Sequence, residues 1–214
     1  MKSKEQVSTI IAALKTLYPD ALCSLDYEKD YELLFSVRLA AQCTDARVNL
    51  VTPALFARYP TLEAFAAADV DEVGTYIQSC GFWRAKARDI VGSAKMLVER
   101  FGGKVPDNME DLLSLPGVGR KTANLILGDI YGKDGYVCDT HCIRITGRLG
   151  ITDGSKDPLQ VERQLRERIP PKESNNFCHR MVLFGRDTCT ARSPKCEGCP
   201  LAKDCDTAKA ARRG

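Results

Sequence analysis

The sequence predicts an all-α fold for this chain of 214 residues. Apolar residues recur every three to four positions along most of its length, which is the period of a helix with one buried face. No segment alternates convincingly between apolar and polar residues, the pattern of a half-buried strand. Glycine and proline interrupt the helical patterns at short loops. With 44% hydrophobic and 28% charged residues, the composition is that of an ordinary globular protein.

The first part of the chain predicts two helices. Ser3 and Gln6 have the spacing of a capping box, and the helix that they begin ends at Tyr18-Pro19. The apolar face of this helix is formed by Val7, Ile10, Ile11, Leu14 and Leu17. A second segment, from Tyr31 to Gln42, is apolar nearly all round, which predicts a buried helix.

The middle of the chain predicts two amphipathic helices. Asp69 and Glu72 repeat the capping-box spacing, and Gly81 is placed to end the helix that follows them. The longest apolar stripe runs through residues 87–101 and closes at Gly102-Gly103. Its length and regularity make this the most clearly amphipathic helix of the chain.

The last third predicts one more capped helix and a tail. Asp157-Pro158 begins the helix and Pro170-Pro171 ends it. Residues 207–214 carry Lys209, Arg212 and Arg213 with no apolar partners. This composition predicts a frayed basic tail.

Residues 107–131 predict a helix, a tight turn and a second helix. Asp107 opens the first helix with Glu110 three residues later. The buried side of this helix is formed by Leu112, Leu113 and Leu115. The turn is Leu115-Pro116-Gly117-Val118-Gly119, and the second helix begins at Arg120.

The two glycines of this turn flank Val118 and let backbone N–H groups point outward at the start of a helix. Such N–H groups and the positive end of the helix dipole bind a phosphate. Phosphate contacts position a protein on nucleic acid without reading its sequence. A bare Gly-x-Gly more often marks an ordinary turn between helices. The complete string LPGVGRKTA, residues 115–123, is far more specific.

The charge is unevenly divided along the chain. Residues 1–78 hold 7 Lys or Arg and 11 Asp or Glu, a net charge of −4, whereas residues 79–214 hold 24 and 17, a net charge of +7. A basic region of this size predicts contact with a polyanion, of which nucleic acid is the commonest. An accidental distribution over a solvated surface explains the same numbers equally well.

The ten cysteines fall into two groups. Six lie in apolar or helical contexts and are predicted to be small buried hydrophobes: Cys23, Cys43, Cys80, Cys138, Cys142 and Cys178. The other four have the spacing C-x6-C-x2-C-x5-C and are Cys189, Cys196, Cys199 and Cys205. Without a secretory signal, such clustering favours a metal site over disulfides. From spacing alone, zinc and an iron–sulfur cluster fit about equally well, and free thiols fit less well.

Four motifs in order resemble the helix-hairpin-helix superfamily of DNA glycosylases, and most of all its endonuclease III branch. They are Ala41-Gln42-Cys43-Thr44-Asp45, the hairpin string, Cys138-Asp139-Thr140-His141 and the four-cysteine loop. The resemblance covers about residues 20–205 with essentially no insertions. It implies an enzyme of base excision repair that removes oxidised pyrimidines from duplex DNA and then cleaves the strand at the abasic site.

The resemblance implies that Lys121 is the nucleophile and that Asp139 assists it. An amine nucleophile must be neutral, whereas lysine has an ordinary pKa of about 10.4 and is almost entirely charged at pH 7. The helix dipole at Lys121, the like charge of Arg120 and burial against DNA all favour the neutral amine. Asp139 would stabilise positive charge on the sugar or help to activate Lys121. Its position before Thr140 is equally that of a helix cap.

A glycosylase must flip its target base out of the duplex and fill the gap. The resemblance assigns the filling role to Gln42, at the end of the buried helix, and a second wedge near Phe82, where the family commonly has an aliphatic residue. Asp45 is a candidate contact to the flipped base. His141 is either a DNA contact or an oriented structural histidine. The remaining candidate DNA contacts are Leu115, Gly117, Val118, Gly119, Arg120, Arg192 and Lys195.

The resemblance also decides between the metal alternatives. It implies a [4Fe–4S] cluster ligated by all four clustered cysteines. Arg192 and Lys195 then lie in a short basic loop between the first two ligands, suited to DNA phosphates. The cluster is expected to shape this DNA-binding surface.

We expect two helical lobes with a DNA groove between them. Residues 22–132 form a central bundle with the hairpin at about 107–131, and residues 1–21 and 133–214 form the other lobe with the cluster loop 189–205. Lys121 and Asp139 are expected to face each other at the groove. The partner is double-stranded DNA with a damaged pyrimidine or an abasic site. The chain is expected to be a monomer that is cytoplasmic, or nucleoid-associated in a bacterium, without membrane contact.

One alternative from another class stays open. A non-catalytic helix-hairpin-helix DNA-binding protein with a structural metal–thiolate site would share the hairpin and the cysteine loop. Such a protein needs neither Lys121 nor Asp139, and the presence of both argues against it.

Overall fold

The computed structural model describes residues 1–211, and these residues form α-helices, one short 3-10 helix and connecting loops, with no strand. The prediction of an all-α fold is confirmed. The α-helices are α1 Lys4–Leu17, α2 Asp30–Leu39, α3 Asp45–Arg58, α4 Leu62–Ala66, α5 Val70–Ile77, α6 Trp83–Phe101, α7 Met109–Ser114, α8 Arg120–Asp129, α9 Thr140–Leu149, α10 Pro158–Arg168, α11 Pro171–Asp187 and α12 Asp206–Ala211. The 3-10 helix is Gln78–Cys80. Among these described helices, none is long and apolar enough to cross a bilayer.

The described chain divides into two compact units. The central unit is Cys23–Tyr131 and contains α2 to α8. The terminal unit joins residues 1–22 to the described part of 132–214 and contains α1 and α9 to α12. Each unit has its own apolar core.

The central unit is built around α6. This helix packs against α2, α4 and α5 and buries Ala87, Ile90, Val91, Ala94 and Leu97, as its stripe predicts. Aromatic rings fill the core beside α4, where Phe65 lies 5.0 Å from Phe35 and 5.1 Å from Tyr59 between ring centroids. The helix ends at Gly102, as predicted, with a left-handed φ of 59°.

The terminal unit is formed by both ends of the chain. Helix α11 packs against α1 and α9, and the Tyr18 and Phe184 rings meet edge to face at 6.5 Å. The Lys2 backbone N–H donates to the Gly150 carbonyl at 2.8 Å, and the Lys2 ammonium pairs with Asp206 of α12. These contacts join residues that are far apart in the sequence.

Three of the scattered cysteines meet in the core of the terminal unit. Cys138, Cys142 and Cys178 are buried, and hydrogen bonds with its two neighbouring thiols, together with burial, raise the pKa of Cys142. Cys80 is buried in the central unit, as predicted, whereas Cys23 and Cys43 are half-buried. No disulfide joins any of the ten cysteines, all of which lie within the described residues.

Several helix ends agree with their predicted caps. Ser3 and Gln6 form both bonds of a capping box, and the side chains of Asp69 and Asp157 accept from backbone N–H groups of the helices they precede. Gly81, with a φ of 69°, ends the 3-10 helix that extends α5.

Other details of the predicted helices are wrong. Helix α2 ends at Leu39, so Gln42 lies three residues beyond it and not at its end. Asn108, not Asp107, caps α7 by accepting from the Asp111 N–H at 3.0 Å. Leu17 and Leu113 were assigned to buried faces, but they are 38% and 41% exposed.

The predicted basic tail is also partly wrong. Residues 207–211 belong to α12, and Ala208 in that helix is buried, so this stretch has the apolar partner that the sequence did not reveal. Arg212 and Arg213 lie outside the described residues.

Candidate active site and cysteine loop

The turn between α7 and α8, residues 115–119 and here called the hairpin turn, is anchored in the central unit. The Leu115 side chain is buried, and its carbonyl accepts from the Val118 N–H at 3.2 Å. The Ser93 hydroxyl of α6 donates to the Pro116 carbonyl at 2.9 Å. Helix α6 therefore holds the turn from below.

Gly117 is required in the hairpin turn for two reasons. Its φ of 72° lies in the left-handed region. A Cβ at this position would also lie 2.6 Å from the Arg38 guanidinium and 2.6 Å from an Asp89 carboxylate oxygen. Arg38 and Asp89 form an ion pair with a 2.6 Å N–O distance, so the turn rests on a pair of charged side chains that the sequence analysis did not identify.

Helix α8 begins without a side-chain cap. Its N-cap is Gly119, with extended backbone and no side-chain hydrogen bond to the first turn. The first N–H groups of a helix have no partners within the helix, and together with the dipole they favour an anion. Val118 is half-buried and Arg120 is exposed. The hairpin turn thus has the backbone arrangement of a phosphate site.

Lys121 is the second residue of α8 and is exposed. The helix itself is well anchored, because residues 123–128 of α8 are buried. The amine is therefore carried on a fixed helix and lies one turn or less from the N–H groups of the hairpin turn.

Gln42 and Phe82 share an unusual backbone conformation. Within residues 1–211 they are the two non-glycine residues with positive φ, 55° for Gln42 and 46° for Phe82. Each such residue costs about 1–3 kcal/mol, and strain of this kind clusters at functional sites. Gln42 is exposed and Phe82 is 70% exposed. The two residues that the sequence analysis assigned to gap filling therefore lie on strained, solvent-facing loop tips.

Asp45 is the first residue of α3 and is half-buried. Its carboxylate accepts a hydrogen bond from the Ser24 hydroxyl. Asn49, one turn later, donates to the Ser24 carbonyl at 2.9 Å and accepts from the Asp26 N–H at 3.1 Å. The segment before α2 is thereby fixed to α3 beside Asp45.

In the terminal unit, Asp139 is the N-cap of α9, as its position predicted. It is half-buried, and Oδ1 accepts from the Cys142 N–H at 2.7 Å. A carboxylate is stabilised at a helix N terminus by the dipole and by this hydrogen bond. The cap fixes the carboxylate in place and occupies one of its two oxygens.

His141 is packed in the terminal unit. It lies 3.2 Å from Arg144 and so close to Gly185 of α11 that a Cβ there would come within 2.3 Å of its Nδ1. Arg144 continues the contact by donating to the Cys189 carbonyl at 2.9 Å. These contacts favour the structural interpretation of His141 over the DNA-contact interpretation.

The segment from Cys189 to Cys205, here called the cysteine loop, contains no helix. All four clustered cysteines line one pocket that is partly open to solvent. Its other walls are largely apolar and include Leu149, Phe184 and Ala202. Within residues 1–211, no three His, Cys, Asp or Glu side chains converge on a position for one metal ion. Four soft thiol ligands around an apolar pocket fit an iron–sulfur cluster.

Arg148, near the C-terminal end of α9, ties the cysteine loop to the rest of its unit. Its guanidinium donates to the Thr190 and Ala191 carbonyls at 2.7 and 2.8 Å and to the Cys189 sulfur at 3.3 Å. The Cys205 Sγ lies 3.2 Å from the Arg148 carbonyl oxygen. Arg192 and Lys195, farther along the loop, are exposed.

The sequence analysis missed four residues that support the site, and one of them is Arg38, the ion-pair partner of Asp89. Ser93 and Asp89 lie on α6 at positions that face the hairpin turn, and no short motif marks them. Lys86 is buried on the same helix, 1% exposed. Its position four residues before Ile90, on the apolar face, was a signal that this lysine points inward.

Comparison with known proteins identifies the family. Residues 35–171 match the HhH-GPD superfamily of base excision DNA repair proteins, and residues 189–205 match the iron–sulfur binding domain of endonuclease III. The chain is 48% identical to endonuclease III of Synechocystis sp. over 98% of this chain and 96% of that protein, and 38% identical to that of Bacillus subtilis over 96% and 94%. A solved structure of a trapped endonuclease III–DNA covalent intermediate superposes with a TM-score of 0.93 at 40% identity over all of both chains.

The second match begins at Cys189 and ends at Cys205, the first and last cysteines of the loop. The protein carries a [4Fe–4S] cluster, which the match and the thiol-lined pocket together support. It is an enzyme of base excision repair that binds DNA. The chain belongs to the endonuclease III family of the HhH-GPD superfamily.

Proposed function

We propose that this protein removes oxidised pyrimidines from double-stranded DNA and cleaves the strand at the resulting abasic site. The observation that carries the proposal is the position of Lys121. An exposed amine on the first turn of α8 lies directly behind a glycine turn whose backbone suits a DNA phosphate. The solved relative that was trapped as a covalent intermediate with DNA supports covalent chemistry in this family.

Lys121 supplies the nucleophile. Its neutral amine attacks C1′ of the damaged nucleotide, the glycosidic bond breaks, and the base leaves with the bonding electrons and takes up a proton. Opening of the sugar ring then gives a Schiff base between C1′ and the lysine nitrogen. Loss of a proton from C2′ expels the 3′ phosphate, which is β-elimination. Water finally hydrolyses the Schiff base and returns the free lysine.

Asp139 supplies a negative charge. One carboxylate oxygen is held by the Cys142 N–H, which leaves the second oxygen to face positive charge as it develops on the sugar. The same carboxylate can accept the proton that Lys121 must lose. The proposal requires that Lys121 and Asp139 reach the same nucleotide.

Gln42 and Phe82 occupy the gap left by the flipped base. Both are exposed, and both have positive φ values that cost conformational energy. Strained residues of this kind cluster at functional sites, which supports a role for both. Phe82 offers a flat apolar ring for stacking against a base step, in place of the aliphatic wedge common in the family. Asp45 is proposed to contact the flipped base.

Cys189, Cys196, Cys199 and Cys205 are proposed as the ligands of the cluster. When bound, the cluster supplies four metal–thiolate links that hold the cysteine loop in one shape. Arg192 and Lys195 then contribute positive charge for DNA phosphates. The protein is proposed to act as a monomer in the cytoplasm on chromosomal DNA.

Borohydride trapping tests the proposal. Borohydride reduces a Schiff base to a stable amine, so incubation with duplex DNA that contains one oxidised thymine should link wild-type protein covalently to the strand. Lys121→Ala should give no covalent product and lose strand cleavage by at least about 1,000-fold, while its DNA affinity stays within about threefold.

Lys104→Ala, an exposed lysine of the same unit, is the matched control and should be trapped like wild type. Trapping of Lys121→Ala would place the nucleophile elsewhere. Absence of trapping in wild type with intact DNA binding would favour the non-catalytic helix-hairpin-helix alternative.

A further inference from the structure

The loop tips that carry Gln42 and Phe82 pose a structural question. Strained backbone persists only where the surrounding structure over-determines it. Gln42 lies between α2 and α3. Phe82 is the N-cap residue of α6, where its carbonyl accepts from the Lys86 N–H at 3.1 Å, so neither residue lies within a helix. Some contact must therefore fix both loops in the absence of DNA.

Lys86 makes contacts to both loops. Its Nζ donates to the Leu39 carbonyl at 2.8 Å and to the Cys80 carbonyl at 2.8 Å. Leu39 is the last residue of α2, three residues before Gln42, and Cys80 is the last residue of the 3-10 helix, two residues before Phe82. One buried ammonium thus joins the two segments immediately before the strained residues.

The chemistry at this position suits a lysine. Both acceptors are carbonyls at the ends of helices, where the negative pole of the dipole favours a cation. A lysine reaches both with one flexible side chain, whose stem is buried in the core. Burial lowers the pKa of Lys86, because a charged amine loses its hydration there. The hydrogen bonds to the two carbonyls offset this desolvation.

A second contact links the same loops. The side chains of Cys43 and Cys80 interact, and burial, followed by the interaction with Cys43, raises the pKa of Cys80 to about 11. Cys43 directly follows Gln42 in the sequence. The two loops are therefore joined at a second place, by the side chains of Cys43 and Cys80.

We propose that Lys86 is a positioning residue for base extrusion, which fixes Gln42 and Phe82 in their insertion conformations through the Leu39 and Cys80 carbonyls. The inference rests on the proposed roles of Gln42 and Phe82. It adds a residue that touches neither DNA nor the reacting atoms. Loops that are already fixed lose their conformational entropy during folding, so less entropy is lost when the base is flipped.

The variant Lys86→Met tests the proposal, because methionine has a similar length but no donor. Lys95→Met removes an exposed lysine from the same helix and is the matched control. Hydrogen–deuterium exchange of the DNA-free, cluster-loaded protein gives a readout that is independent of activity. In Lys86→Met, peptides covering residues 40–43 and 80–83 should exchange faster, whereas those covering the hairpin turn should not.

Activity gives the second readout. Single-turnover base removal is compared with β-elimination on the same duplex with a preformed abasic site, which has no base to extrude. Lys86→Met should lose about 10-fold or more in base removal and less than about threefold in β-elimination, because extrusion costs a few kcal/mol. The signal of 2-aminopurine beside the lesion, which rises on unstacking, should fall in parallel.

Four outcomes overturn the proposal. Equal loss in both reactions would make Lys86 a general structural residue, and unchanged exchange in both loops would show that it holds neither. Gln42→Ala and Phe82→Ala, run alongside, separate this inference from the proposed function. If they remove bases normally, the insertion roles themselves are wrong and Lys86 has no insertion residue to position. If they are impaired and Lys86→Met is not, only the present inference fails.

A fallback variant covers the case in which Lys86→Met does not fold. Lys86→Gln keeps N–H donors on a shorter side chain that reaches at most one of the two carbonyls. It should show the same selective loss of base removal, to a smaller extent. An unchanged ratio of base removal to β-elimination in this folded variant would overturn the proposal.

Discussion

The hairpin turn and the cysteine loop are both proposed to bind DNA phosphates, but the chain holds them in different ways. The hairpin turn is fixed by packing: Leu115 is buried, Ser93 donates to the Pro116 carbonyl, and Gly117 lies directly against the ion pair below it. The cysteine loop has two buried residues in its seventeen, Leu201 and Ala202, and no helix. Arg148 holds the first residues of the loop by hydrogen bonds, and we expect the shape of the rest to depend on what the four thiols bind.

The difference also extends to the groups that each region offers. The hairpin turn offers backbone N–H groups and carries no charged side chain between Leu115 and Gly119. The cysteine loop offers the exposed side chains of Arg192 and Lys195. The hairpin turn, which is fixed by packing, suits a phosphate contact that must be placed accurately beside Lys121. The cysteine loop supplies positive charge, and a charge can act on a phosphate with less accurate placement.

Removal of a cluster ligand should have the largest effect, because the Arg144 and Arg148 side chains hold only the start of the loop, residues 189–191. Cys199→Ser should abolish the visible absorbance of the cluster and lower DNA affinity about 10- to 100-fold. The check is an absorbance spectrum together with a binding titration at fixed salt. Cys23→Ser, which changes a half-buried thiol of the central unit, is the control and should keep both properties. Normal absorbance in Cys199→Ser would refute its assignment as a ligand.

Disruption of the hairpin turn should have a smaller, local effect. Gly117→Ala places a methyl group 2.6 Å from two charged side chains at a φ of 72°, which should lower the free energy of unfolding by about 2–4 kcal/mol. Gly103→Ala has a similar φ of 77° with open space around the new methyl group, and should cost only about 1–2 kcal/mol. Urea unfolding measures both. Cluster absorbance should be unchanged in each.

The control Gly103→Ala isolates the clash from the strain. Equal losses in the two variants would mean that the ion pair moves aside at no cost and that the packing beneath the turn is softer than described. The DNA affinity of Gly117→Ala should fall more than that of Gly103→Ala, since only the former changes the phosphate site.

The helix caps and helix ends were predictable because they depend on residues close together in the sequence. Ser3, Asp69 and Asp139 cap their helices as predicted, because a cap depends on residues within three positions of one another. The Gly102 helix end is predictable for the same reason. The roles of Lys121 and Asp139 come from resemblance to a family and stay predictions until trapping is done.

The parts that were misjudged depend on distant contacts. The apolar run up to Gln42 predicted a longer α2. The helix ends at Leu39, whose carbonyl accepts a hydrogen bond from the Lys86 ammonium of α6. The positive φ of Gln42 and Phe82 could not be predicted, because glutamine and phenylalanine rarely adopt this conformation. Ala208 was placed in a frayed tail because the surface that buries it is remote in sequence.

The smallest expected effect separates charge from placement. Arg192→Ala removes one cation from the cysteine loop, so the slope of log affinity against log salt should become shallower by about 0.9, with a modest loss of affinity. Gly117→Ala should lower affinity at every salt concentration with the slope unchanged, because backbone N–H groups carry no net charge. Lys4→Ala, the same loss of charge on α1, is the control and should leave the slope as it is. A change of slope in Gly117→Ala would contradict the assignment of uncharged phosphate contacts to the hairpin turn. An unchanged slope in Arg192→Ala would contradict the assignment of cationic contacts to the cysteine loop.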